Sequence, residues 1–423
     1  MTLQRTPIHI TEAVARVIKH TKETKIETVD YLDSYGRFLA EDLYANEDLP
    51  LFNKSAMDGF AIRSVDSIGA SGDNRIAFKV VEELPAGKTS DYTLKENEAF
   101  RIMTGAEIPS SADAVVMFEQ SKAIDDTSFT IRKPFEPNDN IAMRGEELKT
   151  GELVVPKGTL INPGVVANLA TFGHGKVRVH QLPRVAVMST GSELLDVEDK
   201  LTRGKIRNSN TPMIISQLKR MGIEAKVYRF KADELDEILE IFKELTSDFD
   251  VVITTGGVSV GDYDLLPKVY AHFDAEILFN KVAMRPGSVT TVAKLNDTLL
   301  FGLSGNPSAC YSGFELFARP SILKMLGGKN VYAPIVQATL GADSKKANPF
   351  TRFIRAELEY TGGTLYASPA GFNKSNAVTS IARSNGVIIL PSGSRGFVAG
   401  DQVKVMLTDV TSGTPSFLLT EDE

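Results

Sequence analysis

Three turns rich in Gly, Ser and Asn carry the side chains and backbone groups best suited to hold an anion: residues 189–193 (STGSE), 254–264 (TTGGVSVGDYD) and 304–308 (SGNPS). Glycine lets a backbone come close to a phosphate, and a helix N-terminus offers it unpaired N–H groups. Gly256, Gly257, Ser259, Ser304, Gly305, Asn306 and Pro307 are therefore candidate binding residues. Glu193, Asp262 and Asp264 stand in the same turns. Carboxylates beside phosphates repel them unless a hard cation lies between, and Mg2+ fills that place with one or two carboxylates plus substrate oxygens. A fourth segment, residues 281–288 (KVAMRPGS), sets the cations Lys281 and Arg285 four residues apart, with Pro286 and Gly287 shaping the backbone. Positive charge there suits an oxyanion. Each feature also has a plainer reading. Any α/β domain turns on glycines, acidic residues favour helix starts and turns, and a basic loop can simply be solvated.

Other familiar chemistries are missing. Gly87-Lys88-Thr89 has Glu82 where a P-loop needs its first glycine, and Gly173-His174-Gly175 lacks the third glycine of a dinucleotide fingerprint. The five histidines, His9, His20, His174, His180 and His272, are scattered and form no HExxH pattern, so any metal should be held by oxygen. Cys310 is the only cysteine. It excludes an internal disulfide or zinc ribbon, points to a reducing cytoplasm, and reads as a small apolar residue in the first turns of a helix. In the N-terminal half, residues 49–61, 101–106 and 144–148 form polar clusters that alone name no reaction.

The elements that must position these turns follow from apolar patterning. RVAVM (184–188), DVVITT (250–255), VTTVA (289–293) and 299–303 read as strands, with a further strand at 225–230. Thr211 and Pro212 should open one helix, residues 233–245 form a second and 308–326 a third. Doubly buried strands alternating with helices predict a parallel sheet covered on both faces, whose ligands lie beyond the strands' carboxyl ends. Residues 7–50 read as helical, with Thr11 as a cap; 53–140 as short strands; 134–163 as a turn-rich bridge; and 331–408 as a small barrel or sandwich. The chain has 423 residues, 42% of them apolar, and a net charge of −7. That length suits about three domains, and the acidic balance argues against a protein that neutralises nucleic-acid phosphates. No signal peptide and no apolar run long enough to span a membrane is expected.

The ordered set SAMDGFA, RIMTGA, RGEEL, STGSEL, TTGGVSVGDYD, RPGS and SGNP, spread over about residues 7–410, resembles the molybdopterin molybdenumtransferase family (MoeA and the E domain of gephyrin and its plant relatives). The resemblance implies insertion of molybdate into adenylylated molybdopterin with release of AMP and a need for Mg2+. It also implies a homodimer whose cleft the second subunit completes, with a molybdopterin adenylyltransferase as a partner. It marks Asp58, Thr104, Glu147, Glu193 and Asp264 as catalytic and Arg355 and Ser375 as linked to a molybdate pocket, while Glu193, Asp262 and Asp264 are the metal ligands expected from their place beside the phosphate turns. This chain departs from the pattern at Arg285 and Ser288, where lysines are usual, and at Ser304, where many members have proline. Segmentation and resemblance together give an α/β multidomain chain. Residues 1–52 with 141–177 form a helical and linker domain, 53–140 a β-rich domain, 178–329 a central αβα three-layer domain with a mostly parallel sheet, 330–410 a C-terminal β-barrel and 411–423 a tail. Two other readings share parts of the pattern: an ATP-dependent molybdopterin adenylyltransferase, and a non-enzymatic scaffold like gephyrin. The 170 or so residues before the αβα domain and the barrel after it, both with matching motifs, favour the transferase over the first.

Overall fold

The computed structural model describes residues 5–230, 235–257, 266–345 and 347–408. The chain divides into two compact units. One comprises residues up to Ala40, Gly158–Asn162 and Lys176 onward; the other comprises Glu41–Lys157 and Pro163–Gly175.

The first unit contains a six-stranded sheet in the order Ala225–Phe230, Val185–Thr190, Val251–Thr255, Thr298–Leu303, Thr291–Leu295, Glu276–Phe279. Its strands are short runs of β-branched and other apolar residues buried on both faces. Alternation sends Val187, Ile253 and Phe301 to one face, where they meet Ile214, Leu218 and Phe314 from the helices Asn210–Lys219 and 307–325. Ala186, Val252 and Leu300 meet Ile238, Phe242 and Val269 from Leu235–Asp248 and Leu266–His272 on the other face. This is the expected three-layer αβα arrangement. The first four strands are parallel, but Thr291–Leu295 runs against them, as its antiparallel pairing with Thr298–Leu303 shows, and Glu276–Phe279, antiparallel to Thr291–Leu295, runs with the first four again. Two residues join Thr291–Leu295 to Thr298–Leu303, with Asn296 at φ 53°. So short a link can close a hairpin but not a parallel crossover.

The helical reading of 7–50 holds only for Ile10–His20, which buries Ala13 and Val17. His9, rather than Thr11, is its cap: a ring nitrogen accepts the Thr11 N–H at 3.4 Å. Ile26–Asp30 leaves the helical pattern because it pairs antiparallel with the distant Lys176–His180. At the helix Asn210–Lys219, Asn208 Oδ1 accepts the Thr211 N–H at 3.2 Å, so Thr211 is inside the helix and not its cap. The long helix after SGNP is interrupted by a π-helical stretch, Phe314–Ala318. Pro320, which has no N–H to give the preceding turn, lies just beyond it.

Five further strands of this unit, Ile335–Leu340, Thr351–Thr361, Thr364–Pro369, Gly386–Leu390 and Gln402–Leu407, form a closed barrel. It closes because Thr351–Thr361 pairs with both Thr364–Pro369 and Gly386–Leu390. Leu340, Ile354, Ala356, Ile388 and Val405 fill it. The pair Met284–Arg285 runs parallel beside Thr351 and Arg352 at the start of the long strand.

The second unit is built on a six-stranded sheet ordered Ala114–Met117, Gly59–Ile62, Glu98–Ile102, Ile76–Leu84, Ser128–Ile131, Ser121–Asp125. Phe100 and Ile102 anchor one face, and Phe78 and Phe129 the other. It also carries the helix Pro163–Thr171.

Candidate functional site

Register places the carboxyl ends of the three central strands side by side: Ser189 lies opposite Thr255, and Thr255 opposite Leu303. The three glycine turns therefore adjoin. The Gly256 N–H donates to Leu303 O at 3.0 Å, and Asn210 Nδ2 donates to Gly305 O at 2.9 Å, tying the SGNP turn to a helix. Space and backbone demand glycine at one of these positions and leave room at another. Gly257 has φ +68° and a Cβ there would stand 2.7 Å from Thr190 Oγ1; the atom nearest a Cβ on Gly305 is Gly256 Cα, at 3.6 Å. The Asn306 N–H donates to Ser304 Oγ at 3.2 Å, and Pro307 starts the following helix. Glu193 is exposed, and its carboxylate folds back over Gly191. A hollow of about 200 Å³ beside this turn is lined by Ser192, Asp196, Lys205, Asn208 and Arg229. Ser259, Asp262 and Asp264 lie outside the described residues.

A larger cavity, about 450 Å³, opens between the αβα turns and the barrel. Arg285, Pro286 and Ser288 contribute to it from the RPGS loop, Ser304 and Asn306 from SGNP, and Ser375 from the barrel. Arg352 and Lys374 line it as well. Among the described residues no carboxylate lines this cavity, and none pairs with Arg285, Arg352 or Lys374. The Arg285 guanidinium lies 5.8 Å from the centre of the Phe350 ring and the Lys374 ammonium 5.2 Å from that of Phe372. Aromatic faces orient such cations without neutralising them. The loop and barrel are joined by backbone bonds, Ser308 N–H to Ser375 O at 3.0 Å, and by Ser308 Oγ to Ala377 O at 2.6 Å. Chemically, the cavity is a concentration of positive charge with hydroxyl and amide donors, which suits a dianion.

Two of the anticipated cations are not in its lining. Lys281 is half-buried, and its carbonyl accepts the Ile8 N–H at 3.1 Å. Arg355 is 2% exposed and bonds to Ser380 and Phe372. Conversely, Arg352 and Lys374 were not anticipated. Lys374 adjoins Ser375 and could have been noticed from it; Arg352 carries no local marker, since only the pairing of Met284–Arg285 with Thr351–Arg352 brings it to the loop.

In the second unit, Asp58 and Thr104 meet although far apart in sequence. The Thr104 N–H and hydroxyl both donate to Asp58 Oδ1, each at 2.7 Å. These two bonds, the backbone one first, hold the Asp58 carboxyl below the usual carboxylate range. The backbone that makes this possible is a tight knot: the Gly105 N–H donates to Ser55 O and the Ser55 N–H to Ala106 O, both at 2.9 Å. Asp58 and Thr104 stay exposed, so the carboxylate is ionised, oriented and accessible. Glu147 is exposed in the 144–148 turn, where its N–H donates to Leu49 O at 3.0 Å. Nearby, Thr150 and Arg144 hold Asp48 down to about 2.

The fold and site thus define a protein with an αβα domain that offers glycine turns to a phosphate and a cationic cavity shared with a small barrel. Family models match residues 8–173 (MoeA N-terminal region, domains I and II), 186–324 (probable molybdopterin binding domain) and 337–408 (MoeA C-terminal region, domain IV). Relatives named molybdopterin molybdenumtransferase include one from Staphylococcus epidermidis strain RP62A, 54% identical over 98% of this chain and 99% of its own length. Another, from Staphylococcus aureus strain COL, is 53% identical over the same shares. A crystal structure of the molybdopterin biosynthesis MoeA protein of Pyrococcus horikoshii OT3 matches with a TM-score of 0.82 at 29% identity, covering 95% of this chain and all of that one. The chain belongs to the molybdopterin molybdenumtransferase (MoeA) family.

Proposed function

We propose that this chain completes the molybdenum cofactor by inserting molybdate into adenylylated molybdopterin and releasing AMP. Membership of a family whose relatives bear the transferase name supports the reaction class. The observation that carries the finer reading is the cationic cavity, which joins the RPGS and SGNP turns to a barrel loop and has no carboxylate among the described residues lining it. In this reading the glycine turns at Thr190, Gly256, Gly257 and Gly305 take the nucleotide phosphates through backbone N–H groups. The cavity holds molybdate against the dithiolene sulfurs, so that contact and orientation supply much of the rate enhancement. Asp58, kept ionised by Thr104, is available to take a proton from a dithiolene thiol as its sulfur bonds to molybdenum and to pass it to the oxide, which leaves as water.

Mg2+ fits the donor chemistry present. Glu193 offers an exposed carboxylate at the turn where phosphates would lie, and one or two carboxylates plus substrate oxygens suffice for this ion. When bound, Mg2+ would offset charge on the phosphates as the adenylate bond breaks. Asp262 and Asp264 are the further ligands we assign to it, and Glu147 is assigned a catalytic role. On the same reading the chain works as a cytoplasmic homodimer supplied by a molybdopterin adenylyltransferase.

The test is to mix the purified protein with adenylylated molybdopterin, molybdate and Mg2+ and to follow AMP. Release of AMP that depends on molybdate is expected. Asp58→Ala should abolish it while the protein stays folded. Pyrophosphate release from ATP and molybdopterin would instead identify an adenylyltransferase. A protein that performs neither reaction would contradict the proposal.

A further inference from the structure

The second unit brings together the three polar clusters that name no reaction in the sequence. The pair Lys54–Ser55 runs antiparallel to Ile141–Ala142 on one side, and Lys54 bridges Glu107 on the other. The segments that carry Asp58, Thr104 and Glu147 therefore lie side by side. The last of them continues into a turn, residues 143–150, wrapped around one carboxylate. Asp48 Oδ1 accepts the Thr150 N–H at 2.9 Å and the Thr150 hydroxyl at 2.8 Å, and its Oδ2 accepts Arg144 Nε at 2.6 Å. One side chain thus grips both ends of the turn, with Glu147 in the middle. Gly145 passes close by at φ +70°, where a Cβ would stand 3.6 Å from Asp48 Cβ. Leu49, next in the chain, supports the centre. Its N–H donates to Leu148 O at 2.8 Å, and its carbonyl accepts the N–H groups of Glu147 and Leu148 at 3.0 and 3.1 Å.

Resting on the reading above, in which Glu147 is catalytic, we propose that Asp48 is a positioning residue for that reaction. By tying Arg144 to Thr150 it fixes the turn that presents Glu147 beside the segment of Asp58. Two comparisons within the unit support this. First, Asp58 and Asp48 share one arrangement, a threonine giving its N–H and its hydroxyl to a single carboxylate oxygen. At Asp58 the other oxygen has no protein partner among the described residues and the group is exposed, as a reacting carboxylate must be. At Asp48 the other oxygen is taken by Arg144 and the side chain is only 20% exposed, so its acceptors serve the turn. Second, Glu147 has the opposite character. Its side chain is exposed and makes no hydrogen bond or ion pair among the described residues. A carboxylate that must meet a bound substrate gains from a backbone already in place. Thr150 and Arg144 hold the Asp48 carboxyl down to about 2, so the clasp is ionised at neutral pH, where charge-assisted bonds are the strong ones.

The experiment uses the intact protein and compares wild type, Asp48→Asn, Thr150→Val, Glu147→Gln and the double variant Asp48→Asn/Glu147→Gln, each assayed well below its melting temperature. AMP release from adenylylated molybdopterin with molybdate and Mg2+ gives kcat and KM for molybdate, and hydrogen exchange of residues 143–150 reports the turn. Asp48→Asn keeps the volume but leaves a single acceptor oxygen, which can hold one end of the turn and not both. It should speed exchange in the turn and lower kcat by about tenfold to a hundredfold. KM for molybdate should change little, because the cationic cavity is built by the other unit. Thr150→Val, which keeps the backbone donor, should do the same to a smaller degree. In the Glu147→Gln background the effect of Asp48→Asn on kcat should vanish, since a residue that acts through Glu147 adds nothing once that carboxylate is gone. Wild-type kcat in Asp48→Asn overturns the proposal, as does unchanged exchange, or losses that multiply in the double variant. If Glu147→Gln turns over like wild type, Glu147 is not catalytic and the proposal falls. If it turns over too slowly to measure, the loss of kcat must track exchange across Thr150→Val and Asp48→Asn, and a mismatch overturns the proposal. If wild type releases no AMP, the transferase reading falls. The exchange series then decides the clasp alone: faster exchange in Asp48→Asn upholds it, and unchanged exchange removes it too.

Discussion

Replacing Gly257 with alanine should cost stability, whereas the same change at Gly305 should not, although both glycines lie in the turn cluster. At Gly257 the backbone has φ +68°, a conformation that costs an L-residue about 1–2 kcal/mol. The new Cβ would also stand 2.7 Å from Thr190 Oγ1, so Thr190 at the end of the central strand must leave its rotamer, for about 1 kcal/mol more. Thr190 Oγ1 is buried and makes no hydrogen bond among the described residues, so no bond is lost when it turns. A loss of about 2–3 kcal/mol follows, which for a domain of this size lowers Tm by about 4–10 °C. Gly305 is not in the left-handed region, and the one atom near its Cβ is Gly256 Cα at an ordinary 3.6 Å. Gly305→Ala should therefore leave Tm within about 2 °C of wild type or raise it slightly. Its methyl still projects toward the glycine pair that is proposed to receive phosphate, so turnover should fall without loss of stability. Scanning calorimetry of the intact protein, paired with AMP release, measures both effects. If the two variants melt alike, or Gly257→Ala melts like wild type, the account of these turns is wrong.

Two other perturbations test the rest of the scaffold. Thr104→Val deletes one of the two donors to Asp58 and keeps the backbone N–H. Because the folded Asp58 carboxyl is depressed, its stabilising contact is present above the ordinary carboxylate range and is lost as pH falls through the lowered value. The variant should raise the Asp58 midpoint in a carboxyl-carbon NMR titration and move the acid limb of activity to higher pH; an unmoved midpoint would show that the hydroxyl does not hold the carboxylate. Glu315 is a buried acid bonded to Gln217 Nε2 at 2.8 Å and to Arg220, with Arg319 at 3.8 Å, and Arg220 in turn donates to Thr408 O at 2.8 Å. Glu315→Ala strands these cations and should cost about 2–4 kcal/mol, read as a lower urea midpoint, and an unchanged midpoint would mean that solvent screens Arg220 and Arg319 enough to need no partner.

What could be read from the sequence depended on how local its cause was. The strands VAVMST and VVITT announce themselves because burial on both faces demands unbroken apolar runs, and the glycine turns must follow where those strands end. Cys310 was legible for the same reason: a lone small apolar residue at a helix start is packed, and burial pushes its thiol well up. The N-terminal fifty residues misled because Ile26–Asp30 is a strand only through its distant partner Lys176–His180, and helical periodicity cannot report a partner. The one reversed strand of the αβα sheet, Thr291–Leu295, was legible in principle, since the link at Asn296-Asp297 is too short for a crossover. The cavity marks the limit. Arg285 was visible beside its Pro-Gly, but Arg352 becomes its neighbour only when the barrel closes and its first long strand accepts Met284–Arg285 alongside.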